Sequence, residues 1–477
     1  MQNPRGVWGR LPQRQRDQTE ICSRDWTMGQ KILIKNATIV NEGKLVIADV
    51  LVSKGLIHRI GHVRMSSNHQ VIDGTGKHLF PGIIDGQVHF RDPGLTHKGD
   101  LYTESKAAIA GGVTSFIDMP NTVPNSLTVG SLREKYAIAS QKSLANYSFF
   151  LGVNADNIDE VVEMDTSQFI GVSDDGLYFT KKGNLLADSP DTMEKLFANC
   201  RSIIAIHSEK EETVEANEKH FRERYGEDIS AEFHPIIRSA EGCFEATKRA
   251  IHLAKKHNAR LHILHLTTAA ETQLFRNDIP LQEKKITTEV SVQHLWFTNK
   301  DYDRLGMLIK WNPAIKTEKD AQGLFEALLD DRIDIITTDH APHTLEEKQQ
   351  TYFKSMSGAP MVQHALNCML EYYKQGLISL EKIAEKMCHN PAKLYHMANR
   401  GFIREGHYAD LTLVDLNSPW TVSKDNLLYK CGWSPLEGTT FQTAIEKTFV
   451  NGNLIYDNGV FNETSFGIPI AFDNNIL

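Results

Sequence analysis

From Lys31 onward the chain alternates or clusters β-branched residues between Gly and Asn punctuation, in KILIKNATIV (31–40), ADVLVSKGLIHRIG (48–61) and VIDGTGKHLF (71–80). Such runs predict short strands. The pattern returns late, in ADLTLVDL (409–416) and TAIEKTFVNGNLIY (443–456). Two β regions at opposite chain ends can complete one small sheet domain. A composite β-sandwich is therefore expected from 28–80 and 401–465, with the middle of the chain inserted into it.

That middle, 81–400, alternates strand-like and helical patterns. The strand-like runs are FPGIIDGQVHF, VTSFIDMPN, NYSFFLGV, QFIGVSDD, SIIAIHSE, ARLHILHLTT, KKITTEVSVQHLW and RIDIITTDHAP. Between them lie helical stretches such as LYTESKAAIAGG, whose Gly pair marks a stop, EGCFEATKRAIHLAKKH and EKDAQGLFEALLDD. Eight apolar strands, each followed by a helix, predict an α/β fold, a (β/α)8 TIM-like barrel.

Polar residues close these runs. His89, Asn121, Asp175, His207, His265 and Asp339 end six different strands, and a barrel of this class carries its active site at that end. Neutral imidazoles and carboxylates are metal ligands. Residues i and i+2 of a strand share a face, so Gln87, His89 and Arg91 are expected to point into the mouth. His262, three before His265, is expected to face the helices in a structural role. In TTDHAPH (337–343) Asp339 can both ligate a metal and shuttle a proton. The pair in SDDG (173–176) repels unless a cation lies close by.

Composition narrows the function. The 477 residues are 41% hydrophobic with a net charge of -8, which speaks against a general nucleic-acid binder. No apolar run reaches the roughly 18 residues of a membrane span. The six cysteines include no CxxC pair, so neither a disulfide framework nor a thiolate zinc site is expected, and a cytoplasmic location fits. Residues 1–27 carry five arginines with little apolar patterning. They read as a disordered tail, or as residues ahead of a true start at Met28.

Together the motifs resemble the dihydroorotases, of the cyclic amidase branch of the amidohydrolase superfamily. The likeness runs from Lys31 to Gly459. It rests on HFRDPG (89–94), MPNT (119–122), WNP (311–313) and TDHAPH (338–343) in combination. GFIREGHYADLTLVDL (401–416) resembles the segment where amidohydrolases re-enter their small β domain. The resemblance implies metal-dependent, reversible hydrolysis of dihydroorotate to N-carbamoyl-aspartate, a step of pyrimidine biosynthesis. It assigns His89, Asp175, His207, His265 and Asp339 to the metal, and Asp339 also to catalysis. Arg91, Asn121, Asn312 and His343 fall to the substrate, and Arg238 lies in a similar basic segment. Zinc is the implied cofactor, one ion held tightly with two as the upper limit. The implied partner is a small anionic substrate, with no nucleic acid and no membrane. A homodimer and a complex with aspartate transcarbamoylase are the protein partners to consider.

Two departures stand out. Many amidohydrolases have His-x-His after the first strand, where this chain has Gln87, and many have a carboxylated lysine after the fourth, where this chain has SDDG. Asp175 matches the lysine's place, with Asp174 as the alternative. Allantoinases and dihydropyrimidinases usually lack an Arg at the place of Arg91, which favours dihydroorotase over them. The loss of a histidine at 87 leaves one further reading, a non-catalytic partner of aspartate transcarbamoylase.

Overall fold

The computed structural model describes residues 31–163, 169–174 and 190–473. Residues 1–30 and Asp175 therefore lie outside the described residues. All eight barrel runs form strands. They are Ile83–Val88, Val113–Asp118, Asn146–Phe149 continued by Leu151–Gly152, Gly171–Ser173, Ile203–Ile206, Leu261–Ile263, Ile286–Ser291 and Ile335–Thr337. Each pairs in parallel with the next. The eighth returns to the first through the parallel bridge Val88–His340 and a hydrogen bond from His89 N to His340 O at 2.8 Å.

The connecting helices start and stop where local chemistry dictates. Leu101–Ala110 begins at Asp100, whose carboxylate accepts the amides of Tyr102 and Thr103, and it ends at Gly111. Ala240–His257 runs from Ser239 to Asn258, which takes the left-handed conformation common at helix ends. Glu318–Leu329 opens with a reciprocal cap between Thr317 and Asp320. Among the described residues no helix is long and apolar enough to cross a membrane.

Both chain ends share one nine-stranded sheet. The first strand, Lys31–Asn41, divides its partners. Lys31–Lys35 pairs with His69–Asp73, whereas Thr38 and Ile39 pair with His78–Pro81. A bulge between Ile34 and Ala37, with Asn36 at φ +56°, separates the two halves. His78–Pro81 then pairs with Leu411–Asp415, which brings in the late strands. Ile34, Val50, Leu79, Leu411 and Phe449 pack into this domain's own core.

Inside the barrel, Ile84, Ile117, Ile203, Leu264 and Ile335 cluster against Leu394, Tyr395 and Met397, which close the end opposite the site. His262 corrects the sequence reading. Its ring belongs to this interior, not to the helix side, bonded to Thr287 Oγ1 at 2.9 Å and Glu289 Oε2 at 3.1 Å and edge-on to Tyr395. Asp85 joins the same layer, accepting from the Thr338 hydroxyl at 2.6 Å, and burial pushes its carboxyl up to about 7.

A buried ion pair fixes the approach to the site. Lys135 Nζ meets Asp118 Oδ2 at 2.5 Å, both 1% exposed, and Asp118 Oδ1 accepts the amide of Phe90 at 2.7 Å. Lys135→Met should strand the carboxylate and destabilise the protein by about 3–5 kcal/mol. Thermal unfolding checks this, and an unchanged midpoint refutes it.

Candidate functional site

Six polar side chains gather at the strand C-termini. His89, Asp174 and His207 follow their strands directly, His265 and Asp339 come two residues later, and Asn121 three. Arg91, His265 and Asp339 adopt positive φ values of 66°, 32° and 43°. Residues other than glycine rarely enter this region, at a cost of about 1–3 kcal/mol each, and such strain concentrates at functional sites. Here the turns re-aim each side chain once the strand has ended. A cavity of about 230 Å³ opens between them, lined by His89, Arg91, Asn121, His207, His265 and Asp339 and roofed by residues 353–358.

Two donor pairs face this cavity. His89 Nδ1 lies 2.8 Å from Asn121 Oδ1. An amide oxygen only accepts, so the Nδ1 contact needs its proton there; Asp339 Oδ1, 3.0 Å from Nε2, is an acceptor as well, so Nε2 either donates to the carboxylate or shares a cation with it. Two donors sharing a zinc at about 2.0–2.1 Å stand about 3 Å apart. His207 gives Nδ1–H to Asp174 Oδ1 at 2.7 Å, and both Asp174 oxygens approach the His207 amide at 3.1 Å. An outer carboxylate usually orients a ligating histidine in this way. The His265 ring stands 5.0 Å from that of His207, centroid to centroid, and neither of its nitrogens has a partner. Burial, and then His207, His294 and His89, hold His265 well below the usual imidazole range. It is neutral and offers a lone pair.

Among the described residues no three His, Cys, Asp or Glu side chains converge closely enough to hold a metal by themselves. The donor chemistry nonetheless fits one. A fully buried imidazole with two partnerless nitrogens is costly unless a cation or water occupies it. The remaining expected ligand, Asp175, lies outside the described residues.

The opposite wall is cationic. Arg91 is 2% exposed, and its Nε donates to Pro342 O at 3.2 Å. Behind it stands His343, in contact with Arg91 Nη2 at 3.2 Å, Lys98 Nζ at 3.1 Å and Ser357 O at 3.0 Å. Lys98 in turn pairs with Glu347 at 3.0 Å. Burial, and Arg91 and Lys98 beyond it, depress the His343 imidazole well below its usual range despite Glu347, so it is neutral. Arg238, ion-paired with Glu209, and Asn312, whose buried Oδ1 has no partner, also line the cavity.

Comparison with known proteins places this arrangement. Residues 78–455 match the model of the amidohydrolase family. The chain belongs to the amidohydrolase family. This amidohydrolase is a hydrolase acting on carbon–nitrogen bonds of cyclic amides. It is 31% identical over 430 residues to a dihydroorotase of Pyrococcus furiosus, covering 90% of this chain and 91% of the relative. A dihydroorotase of Carboxydothermus hydrogenoformans is 33% identical over 439 residues, covering 90% and 98%. Among solved structures, the L-hydantoinase (dihydropyrimidinase) of Arthrobacter aurescens superposes with a TM-score of 0.86 at 26% identity, covering 92% of this chain and 99% of that one.

In this amidohydrolase the expected residues meet in three different ways. His89, Arg91, Asn121, His207, His265, Asn312 and Asp339 share the cavity wall. His343, expected at the substrate, is fully buried and stands behind Arg91. The oxygen of Asn121, also expected at the substrate, is committed to His89. Asp174, the alternative metal ligand, accepts from the His207 ring and amide. Gln87 is wholly buried and neither of its amide atoms has a partner. Sequence reasoning missed Lys98 and Glu347, whose pairing joins a loop to a short helical turn far along the chain and leaves no periodic signal.

Proposed function

We propose that this amidohydrolase is a dihydroorotase, adding water across the ring amide of dihydroorotate to give N-carbamoyl-aspartate and closing the ring in reverse. The observation that carries this reading is Arg91, a buried guanidinium on the cavity wall backed by His343 and Lys98. Dihydroorotate is a carboxylate, and a guanidinium fork matches a carboxylate in geometry as well as charge. Neutral cyclic amides have no use for it.

Zinc is the cofactor we assign, held by His207 and His265 with His89 and Asp339 flanking and Asp175 as a further donor. Bound there it supplies a water whose pKa falls from about 15.7 toward about 7. Asp339 accepts the proton of the attacking water and delivers it to the departing ring nitrogen. The carbonyl carbon gains the water oxygen as its bond to that nitrogen breaks. Arg91 fixes the substrate carboxylate, and the partnerless Asn312 Oδ1 accepts a ring N–H.

Arg91→Lys keeps the charge but loses the fork. The Michaelis constant for dihydroorotate should rise about tenfold or more, with turnover little changed. Steady-state kinetics on dihydroorotate and neutral dihydrouracil decide the matter. An unaffected variant, or a wild type that prefers dihydrouracil, overturns the assignment.

A further inference from the structure

We propose that Lys348, together with Lys310, is a positioning pair for substrate recognition, two buried lysines that shape the cavity wall from Phe353 to Gly358. This rests on the dihydroorotase reading for its substrate. Lys348 is fully buried, and its Nζ donates to three carbonyls, Lys310 O at 3.1 Å, Met356 O at 2.8 Å and Gly358 O at 2.9 Å. Three accepting carbonyls match the three N–H donors of an ammonium and favour that form against the burial. Lys310 Nζ donates to Tyr352 O at 2.7 Å and Ser355 O at 2.6 Å. Ser355 Oγ returns a bond to Lys348 O at 2.9 Å, and Gly358 N one to Lys310 O at 2.8 Å.

Neither lysine makes an ion pair among the described residues. Burial pulls Lys348 well below the usual lysine range and Lys310 down to about 7, so holding either group here is costly. What the two lysines supply is donors for a main chain that has no helix or strand of its own from 352 to 361. That main chain is the wall, since Ser355, Met356, Ser357 and Gly358 all line the cavity. It also presses on the catalytic side. A Cβ at Gly358, which has φ +121°, would stand 2.6 Å from Ala341 O, two residues beyond Asp339. Ser357 O reaches the Arg91 backing through His343. One helical turn, Leu345–Lys348, thus serves two walls, with Glu347 on Lys98 and Lys348 on the roof.

Lys348→Met removes the donors at similar length. The Michaelis constant for dihydroorotate should rise about tenfold, with turnover within about threefold and metal content unchanged. Lys310→Met, which frees two carbonyls of the same wall, should show the same split. Both variants and wild type are assayed with dihydroorotate and with dihydrouracil, alongside thermal unfolding and elemental analysis. A wild type inactive on dihydroorotate rejects the functional reading alone, and the split is then read on the amide it does hydrolyse. Unchanged Michaelis constants, a loss confined to turnover, or failure of both variants to fold each overturn the proposal.

Discussion

Asp339→Asn is expected to cut turnover of dihydroorotate by at least about 100-fold, the effect of losing a general acid–base group. Asp339 meets His89 Nε2 at 3.0 Å and lies 5% exposed at the cavity. The substitution is nearly isosteric, and asparagine tolerates the left-handed backbone at φ +43° better than most residues. The thermal midpoint should therefore stay close to wild type while the proton carrier is gone. Steady-state kinetics with dihydroorotate, run beside a melting curve, separate the two effects. Near-wild-type hydrolysis by a folded variant would remove Asp339 from the mechanism.

The barrel was legible because its strands are buried on both faces and read as near-continuous apolar runs. The small sheet was legible from β-branched runs between turn residues, on either side of the insertion. The site was legible only as far as strand geometry persists. Alternation placed His262 on the side opposite His265, but the chain turns at His265, φ +32°, and both residues end up serving the interior. Alternation also grouped Gln87, His89 and Arg91 on one face. A register shift between Asp85 and Val88 interrupts that alternation at Gln87, and Arg91 reaches the cavity wall through a left-handed turn beyond the strand end. Between Asp174 and Asp175 the sequence had no means to choose, since adjacent carboxylates differ only in where a three-residue strand stops. Lys98, Glu347 and Lys348 were invisible for a different reason. Their partners are loop carbonyls and side chains tens to hundreds of residues away or on irregular backbone, which carries no period.

The metal sites give the other large expected effect. The donors fall into two positions, His207 with His265 and His89 with Asp339. The first has two imidazoles, one oriented by Asp174 and one with both nitrogens partnerless. The second has one imidazole, already committed to Asn121 through Nδ1, and one carboxylate. Where many amidohydrolases place a second histidine, Gln87 offers only a neutral amide, a poor zinc ligand beside imidazole, and neither of its buried amide atoms has a partner. About one tightly held zinc per chain is therefore expected, on His207 and His265. His207→Ala should empty the protein of metal, because a single imidazole cannot retain the ion. Gln87→His should raise the content toward two by giving the His89–Asp339 position its missing ligand. Elemental analysis of the three proteins after dialysis without chelator reads the result directly, independent of activity. Two full equivalents in the wild type would show that the second position is complete without a histidine at 87. No metal and no hydrolysis would instead favour a non-catalytic partner of aspartate transcarbamoylase, in which the paired donors are remnants of a site.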